Sequence, residues 1–382
     1  MPAPHPVTLP DDPGALLAGR AWRPGLGPAL VTVRDGALVD VTSREAPTMR
    51  DLLEMDDPAG WLRAAPGEAI GAPEDLSAPD EDALHLLAPS DLQAVKACGV
   101  TFAGSMIERV IEEQAAGDPS RAEAIREKVG AVIGDSLRGL RPGSDEAAEV
   151  KRVLQREGLW SQYLEVGIGP DAEVFTKGQP LSAVGTGAEV GLHPVSKWNN
   201  PEPEIVLAVN SRGEIRGATL GNDVNLRDVE GRSALLLGKA KDNNASCAVG
   251  PMIRLFGGGY TLDDVRGAEL TLRVEGEDGF VLDGHSSMRE ISRDPADLVR
   301  QTLGAHHQYP DGFVLFLGTL FAPTQDRHGP GQGFTHAVGD VVTIAEPGLG
   351  ALTNTVRLST ECPPWTFGAA ALMRNLAGRG LI

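Results

Sequence analysis

At 382 residues, 41% of them hydrophobic, the chain is long enough to bury a sizeable core and too long for one small domain. A formal net charge of −19 offers no basic patch for nucleic-acid phosphates and repels anionic lipid, which excludes nucleic acid and membrane surfaces as partners. Cys98, Cys247 and Cys362 form no CxxC pair, the start has no basic region followed by an apolar core, and no apolar run approaches about 18 residues, so a reduced, cytoplasmic protein is expected.

Residues 1–20, rich in Pro, Asp and Gly, read as a loose arm. ALVTVRDGALVDV, from Ala29 to Val41, reads as two strands around a turn at Asp35-Gly36. Short helices are expected at Met49–Glu54 and Pro58–Ala65, and the acidic, Pro-rich stretch Gly67–Asp82 reads as a linker. This places a small N-terminal α/β domain at 1–87 and a larger domain at 88–382. The larger domain opens with Leu92–Gly104. A long polar helix from Ser105 to about Ala131 follows, and then an amphipathic helix over Asp145–Glu157, where Ala148, Val150, Val153 and Leu154 recur at helical spacing. From Leu159 the pattern is short strands: EVFTKG, EIVLAVN, ATLGNDVN, LTLRVE, FVLFLGT and DVVTIAE. The class is α+β, with a mostly β second domain.

Two segments carry chemistry. In WNNPEPEIVLAV, Glu202 and Glu204 lie two apart where an apolar strand begins, so a period-two pleat puts both carboxylates on one face. Two like charges side by side are unfavourable unless a cation sits between them, and oxygen donors suit Mg²⁺ or Mn²⁺. An ExE pair alone is more often a solvated strand edge. The second segment, TLGNDVNLRDVEGRSALLLGKAKDNNASCAVGP, adds Asn222-Asp223 at a strand end, then Arg227-Asp228, then Lys239 and Lys241. Its density of polar residues in an apolar stretch argues against a purely structural loop.

PEPEIVLAV, GNDVNLRDVEG, LGKAKDNNASCAVGP, FLGTLFAP and VGDVVTIAEPGLGALTNTV, in this order, resemble the motifs of the fumarylacetoacetate hydrolase superfamily over about Leu92 to Val356. The resemblance implies a mixed β-roll or β-sandwich domain with short helices, and a variable N-terminal domain ahead of it. It implies Glu202, Glu204 and Asp223 as ligands of Mg²⁺, with Mn²⁺ as an alternative. It implies an active-site lysine at Lys241 or its rival Lys239, and a carboxylate-holding threonine at Thr319. Lys177 matches the lysine of the family's FxKP strand, and Glu173 shares its strand face with Phe175 and Lys177. ACGVTFAGSMIERVIEE, HHQYPDGFVLFLGTLFAP and WTFGAAALMRNLAGRGLI extend the similarity to the sugar-acid dehydratase branch of the superfamily. That branch implies dehydration of 2-keto-3-deoxy-D-xylonate to 2,5-dioxopentanoate in oxidative pentose catabolism, by a homodimer or homotetramer.

One departure bears on the reaction. Family hydrolases carry a water-activating histidine where this chain has Ser105, within GVTFAGSMIER. Its absence weakens the same-fold alternative, hydrolysis or decarboxylation of acylpyruvate-like diketo acids. The low-ranked alternative is a sugar-acid binding protein without activity; against it, the ligand set and lysine are all present. The proton-abstracting base is Lys241 or Glu173. Ser105 would fix hydroxyls, and Arg109 and Asn222 join Thr319, Lys177 and Lys239 as substrate-binding candidates. His306-His307 point apart on a strand and read as structural or supporting residues. Trp160, Trp198 and Trp365 read as core or pocket wall, Cys247 as a packed thiol, and Gly257-Gly258-Gly259 as a turn.

Overall fold

Short apolar runs cut by Gly, Asp and Pro favour strands throughout. The computed structural model describes residues 6–382 apart from 77, 117, 123, 127–138, 157, 159, 322 and 331. The first strands are β1 (Leu17–Arg23), β2 (Gly27–Arg34), β3 (Ala37–Asp40), β4 (Glu68–Gly71), β5 (His85–Leu87) and β6 (Ala94–Gly99). They are followed by β7 (Glu173–Gly178), β8 (Glu189–Leu192), β9 (Pro203–Val209), β10 (Ile215–Asp223) and β11 (Cys247–Leu255). The last are β12 (Glu269–Glu275), β13 (Val281–Ser287), β14 (Phe313–Phe316), β15 (Val341–Glu346) and β16 (Gly350–Leu358).

A large sheet runs β4-β3-β2-β1-β11-β10-β9-β14-β6-β7, with β5 on β1. A smaller sheet runs β13-β12-β15-β16-β8. The two pack face to face, with Ile205, Leu207, Val209 and Leu220 on one side of a shared core and Leu272, Val274, Ile344 and Leu352 on the other. The residues show this in their spacing. β12 alternates buried and exposed positions as a strand with one wet face must, whereas every residue of β9 is buried. The other face of β9, with Val206, meets Val249, Val314 and Phe316 in a second cluster. The large sheet curls around that cluster. Lys177 on β7 reaches Asp223 on β10, four strands away in pairing order, and Val184 bridges to Ala248 of β11.

Short helices fill the ends: α1 (Met49–Glu54), α2 (Pro58–Ala64), α3 (Ala103–Ala115), α4 (Asp145–Arg156), α5 (Gln162–Ile168), α6 (Arg227–Glu230), α7 (Leu237–Lys241), α8 (Leu262–Arg266), α9 (Pro295–Thr302) and α10 (Ala369–Gly378). Side-chain caps start several of them: Thr48 accepts from Asp51 N, and Ser161 from Tyr163 N. Among the described residues, no helix is long and apolar enough to cross a membrane.

The β2–β3 hairpin, α1, α2 and α4 fall where the pattern predicts, with Asp35 and Gly36 at positive φ in the turn. Four expectations change. The N-terminal arm is not loose to residue 20: β1 starts at Leu17, where buried Leu17, Ala18 and Ala21 pack inward, and Thr8 bridges to Ala351. The expected linker contains β4, paired with β3. The polar helix ends at Ala115, followed by Ala116 at φ 54 and a 3-10 turn at Pro119–Arg121; residues 117, 123 and 127–131 of the expected helix lie outside the described residues. The strand FVLFLGT stops at Phe316, because Gly318, at φ 90, turns its N–H away from the ladder. Residues on both sides of position 87 share one sheet through β1 and β11. Buried Arg20 also donates to Ala88 O at 3.1 Å and Ser90 O at 2.7 Å.

Candidate active site

The pleat of β9 and the register of β10 assemble the centre. Gly221 lies opposite Glu204, so Asp223, two residues further along β10, shares that face, and Asp223 N donates to Glu202 O at 3.1 Å. One carboxylate oxygen each from Glu202, Glu204 and Asp223 lies within 4.8 Å of the others, and all three residues are buried. Neighbouring donors hold the carboxylates in place. Gly318 N donates to Glu204 Oε2 at 2.6 Å. A Cβ at Gly318 would meet Thr101 Oγ1 at 2.1 Å, so this donor requires glycine. Glu202 Oε1 accepts from Arg109 at 2.8 Å and from Asn225 Nδ2 at 3.2 Å.

Two lysines flank Asp223. Lys177 is sealed from solvent, with Nζ 2.7 Å from Asp223 Oδ1, and it donates to Val224 O at 3.2 Å and Lys241 O at 2.5 Å. Lys241, at the end of α7, donates to Glu202 Oε2 and, at 3.1 Å, to Asp223 Oδ2. Burial opposes its charge, but Asp223, Glu202 and Glu230 outweigh burial and hold its pKa above the ordinary lysine range. Burial, then Asp223 and Glu202, push Glu204 well above the usual carboxylate range. Burial also raises Glu202, with Lys241 and Arg109 pulling it back. Asp223 goes the other way, because Lys177 and Lys241 overcome burial.

Five carboxylates gather here, Glu173, Glu202, Glu204, Asp223 and Glu230, against the cations Lys177, Lys241 and Arg109. The three buried oxygen donors, crowded closely enough to raise Glu204, fit a hard divalent cation.

The centre opens into a cleft enclosing about 530 Å³, mouth included, a size suited to a small molecule. Ser105, Arg109, Glu173, Lys241 and Thr319 line it with the three carboxylates, so the structure brings these sequence-selected residues together. Ser105 Oγ donates to Phe102 O at 2.8 Å, and Thr319 Oγ1 accepts from Phe321 N at 3.1 Å. Glu173 is half-buried, and its carboxyl is pushed up to about 7 by burial and by Glu230.

Three substrate-binding candidates are not in the cleft. Lys177 lies behind Asp223, and Asn222 is buried, its Oδ1 accepting from Glu202 N at 3.2 Å. Lys239 is exposed, with Nζ 3.4 Å from His193 Nε2, because residues two apart on a helix lie on nearly opposite sides and Lys241 takes the inward one. His306 and His307 are exposed, and Gly257-Gly258-Gly259 is a turn with positive φ throughout. Cys247 is buried, and burial pushes its thiol up to about 12, so it is no nucleophile. Trp198 is buried under the Arg227 guanidinium, 4.3 Å away, and Trp160 is partly buried beneath Lys151. Trp365, at 46% exposure, is not part of the core.

Glu230, Glu108 and Asn200 also line the cleft, and sequence reasoning did not single them out. Glu230 accepts from Arg109 at 2.7 Å. The available signal was its position three residues after Arg227 on a helical turn, which puts both on one face.

The family model of the fumarylacetoacetate (FAA) hydrolase C-terminal domain matches residues 162–357, about half the chain. The chain therefore belongs to the fumarylacetoacetate hydrolase family. It is 31% identical over 205 residues to a protein of Haloferax volcanii described as a probable 2-keto-3-deoxyxylonate dehydratase, covering 53% of this chain and 66% of that one. It is 29% identical over 188 residues to 2-dehydro-3-deoxy-D-arabinonate dehydratase of Saccharolobus solfataricus, covering 48% and 58%. The chain thus spans less than two thirds of the length of the curated relatives it matches. Its fold matches a solved 2-keto-3-deoxy-D-arabinonate dehydratase, complexed with magnesium and 2,5-dioxopentanoate, with a TM-score of 0.61 at 20% identity. The match covers 90% of this chain and 99% of the other.

Proposed function

We propose that this protein is a hydro-lyase that, with Mg²⁺ or Mn²⁺, removes water from 2-keto-3-deoxy-D-xylonate and yields 2,5-dioxopentanoate. The observation that carries the reading is the buried trio Glu202, Glu204 and Asp223 in a cleft shared with Glu173 and Lys241. Two relatives described as dehydratases of 2-keto-3-deoxypentonates support the reaction class, and the solved neighbour with magnesium and 2,5-dioxopentanoate supports the cation and product.

A divalent cation held by the three carboxylates would supply Lewis acidity to the 2-oxo group of a keto acid. The remaining steps fall to the chain's own residues. Glu173 is the base for the C3 proton: its carboxylate takes no hydrogen bond from another described residue, and a pKa of about 7 suits proton transfer near neutrality. Lys241, which donates to Glu202 and Asp223, serves as a hydrogen-bond donor and counter-charge. Glu173 returns its proton to the departing C4 hydroxyl, which leaves as water. Transfer of a C5 proton to C3 then gives an enol that tautomerises to the C5 aldehyde. Ser105 and Thr319 supply hydroxyls for the substrate's polar groups, while Phe175 and Phe321 wall the cleft against water.

Purified protein with Mg²⁺ and 2-keto-3-deoxy-D-xylonate should release 2,5-dioxopentanoate, read with a coupled NAD-dependent aldehyde dehydrogenase. Cleavage of an acylpyruvate with no turnover of the sugar acid overturns the reading. The homodimer or homotetramer that the resemblance implies is measured by light scattering on the same sample.

A further inference from the structure

Among the charged groups lining the cleft the cations are engaged, while two acceptors, Glu173 and Glu230, are partly open. Arg109 spans Glu202 at 2.8 Å and Glu230 at 2.7 Å, Arg227 holds Glu108 at 3.3 Å, and Lys241 lies between Glu202 and Asp223. Glu230, by contrast, gives Arg109 only Oε2; its Oε1 takes no hydrogen bond from a described residue. Neither oxygen of Glu173 takes one either. A ligand entering the cleft therefore meets open acceptors and occupied donors. Arg109 uses its other nitrogen on the ligand-set residue Glu202, so Glu230 stands one guanidinium away from the three carboxylates.

From this arrangement we infer that Glu230 determines specificity. It accepts a hydroxyl from the part of the substrate remote from its 2-oxo acid end, and it keeps Arg109 from capturing a second carboxylate. The inference rests on the reading of this centre as a cation-assisted 2-oxo acid site, and it adds the substrate class: hydroxylated 2-oxo monocarboxylates are accepted and 2-oxo dicarboxylates rejected. The physical reason is an asymmetry. A second carboxylate must either displace Glu230 from Arg109 or lie beside it as a like charge, with little solvent to screen the repulsion. A neutral hydroxyl does neither, and its O–H gives Oε1 a donor.

The test uses a matched pair of five-carbon probes, 2-oxopentanoate and 2-oxoglutarate, titrated calorimetrically into Mn²⁺-loaded protein. Wild type should bind 2-oxopentanoate at least about tenfold more tightly than 2-oxoglutarate. Glu230→Gln, which keeps the volume and an amide oxygen for Arg109 but removes the charge, should narrow that ratio by about tenfold. Its KM for the hydroxylated substrate should also rise. Equal affinities in wild type overturn the inference even if the variant fails to fold. An unchanged ratio in a folded variant that still binds Mn²⁺ and 2-oxopentanoate overturns the inference while leaving the site reading intact. If wild type binds no 2-oxopentanoate with Mn²⁺, the site reading falls and this inference with it.

Discussion

Lys177 Nζ lies 2.7 Å from Asp223 Oδ1, and both side chains are sealed from solvent. The contact joins β7 to β10 across the curl of the large sheet, and the same ammonium holds the backbone carbonyl of Lys241. Lys177 therefore acts on the site from behind it. Lys177→Met should leave Asp223 with an uncompensated buried charge. A loss of about 3 kcal/mol is expected, read by urea unfolding of the metal-free protein. An unchanged midpoint would mean that the pair does not hold the sheet closed.

Glu204 bears the cost of the clustered carboxylates. Its pKa is raised in the folded state, so the stability linked to it is present below about pH 4.5 and is lost as pH rises through the folded value. Glu204→Gln removes that repulsion and keeps an acceptor for Gly318 N–H. Without metal, the variant should be more stable than wild type at about pH 8, with the difference shrinking towards about pH 5, where the wild-type carboxyl holds its proton. Calorimetry should show Mg²⁺ binding lost in the same variant. Retained binding would remove Glu204 from the ligand set.

A raised carboxyl at Glu173 sets a pH dependence. A base works when deprotonated, so kcat/KM should fall as pH drops below about 7, roughly tenfold per unit. Glu173→Gln should lower kcat by about 10²-fold and abolish that limb of the profile. A limb that persists in the variant belongs to another group.

Lys239 and Lys241 are two residues apart and should behave differently. Exposed Lys239→Ala should stay within about 0.5 kcal/mol of wild type in stability, with activity nearly unchanged. Buried Lys241→Met should lose activity, and its loss should weaken binding of 2-oxopentanoate in the Mn²⁺-loaded protein. Equal losses in both variants would contradict the burial difference.

Much of the centre is legible in the residue pattern itself. Glu202 and Glu204 at period two, Asp223 at the end of the next strand, and the lysine pair after it are local patterns, and the pleat turns such spacing directly into a shared face. The β2–β3 turn is legible for a similar reason, because Asp35 and Gly36 tolerate the positive φ it needs. Boundaries set by tertiary contacts are not legible in this way. β1 begins inside an apparently loose arm because β11 and β2 pair with it, and the FVLFLGT strand ends early because Glu204 takes the Gly318 N–H.

The sequence alone determined the polar groups and their order along the chain: Glu202 and Glu204 two apart, Asp223 at the end of a later strand, and a lysine pair after it. Only the tertiary structure decided which lysine faces inward, that Lys177 supports Asp223 from behind, and that Glu230 answers Arg109 from 121 residues away. Sequence spacing fixes which residues share a face of one strand or helical turn. Which faces then meet depends on how the sheet curls, and that curl follows from packing among residues far apart in the chain.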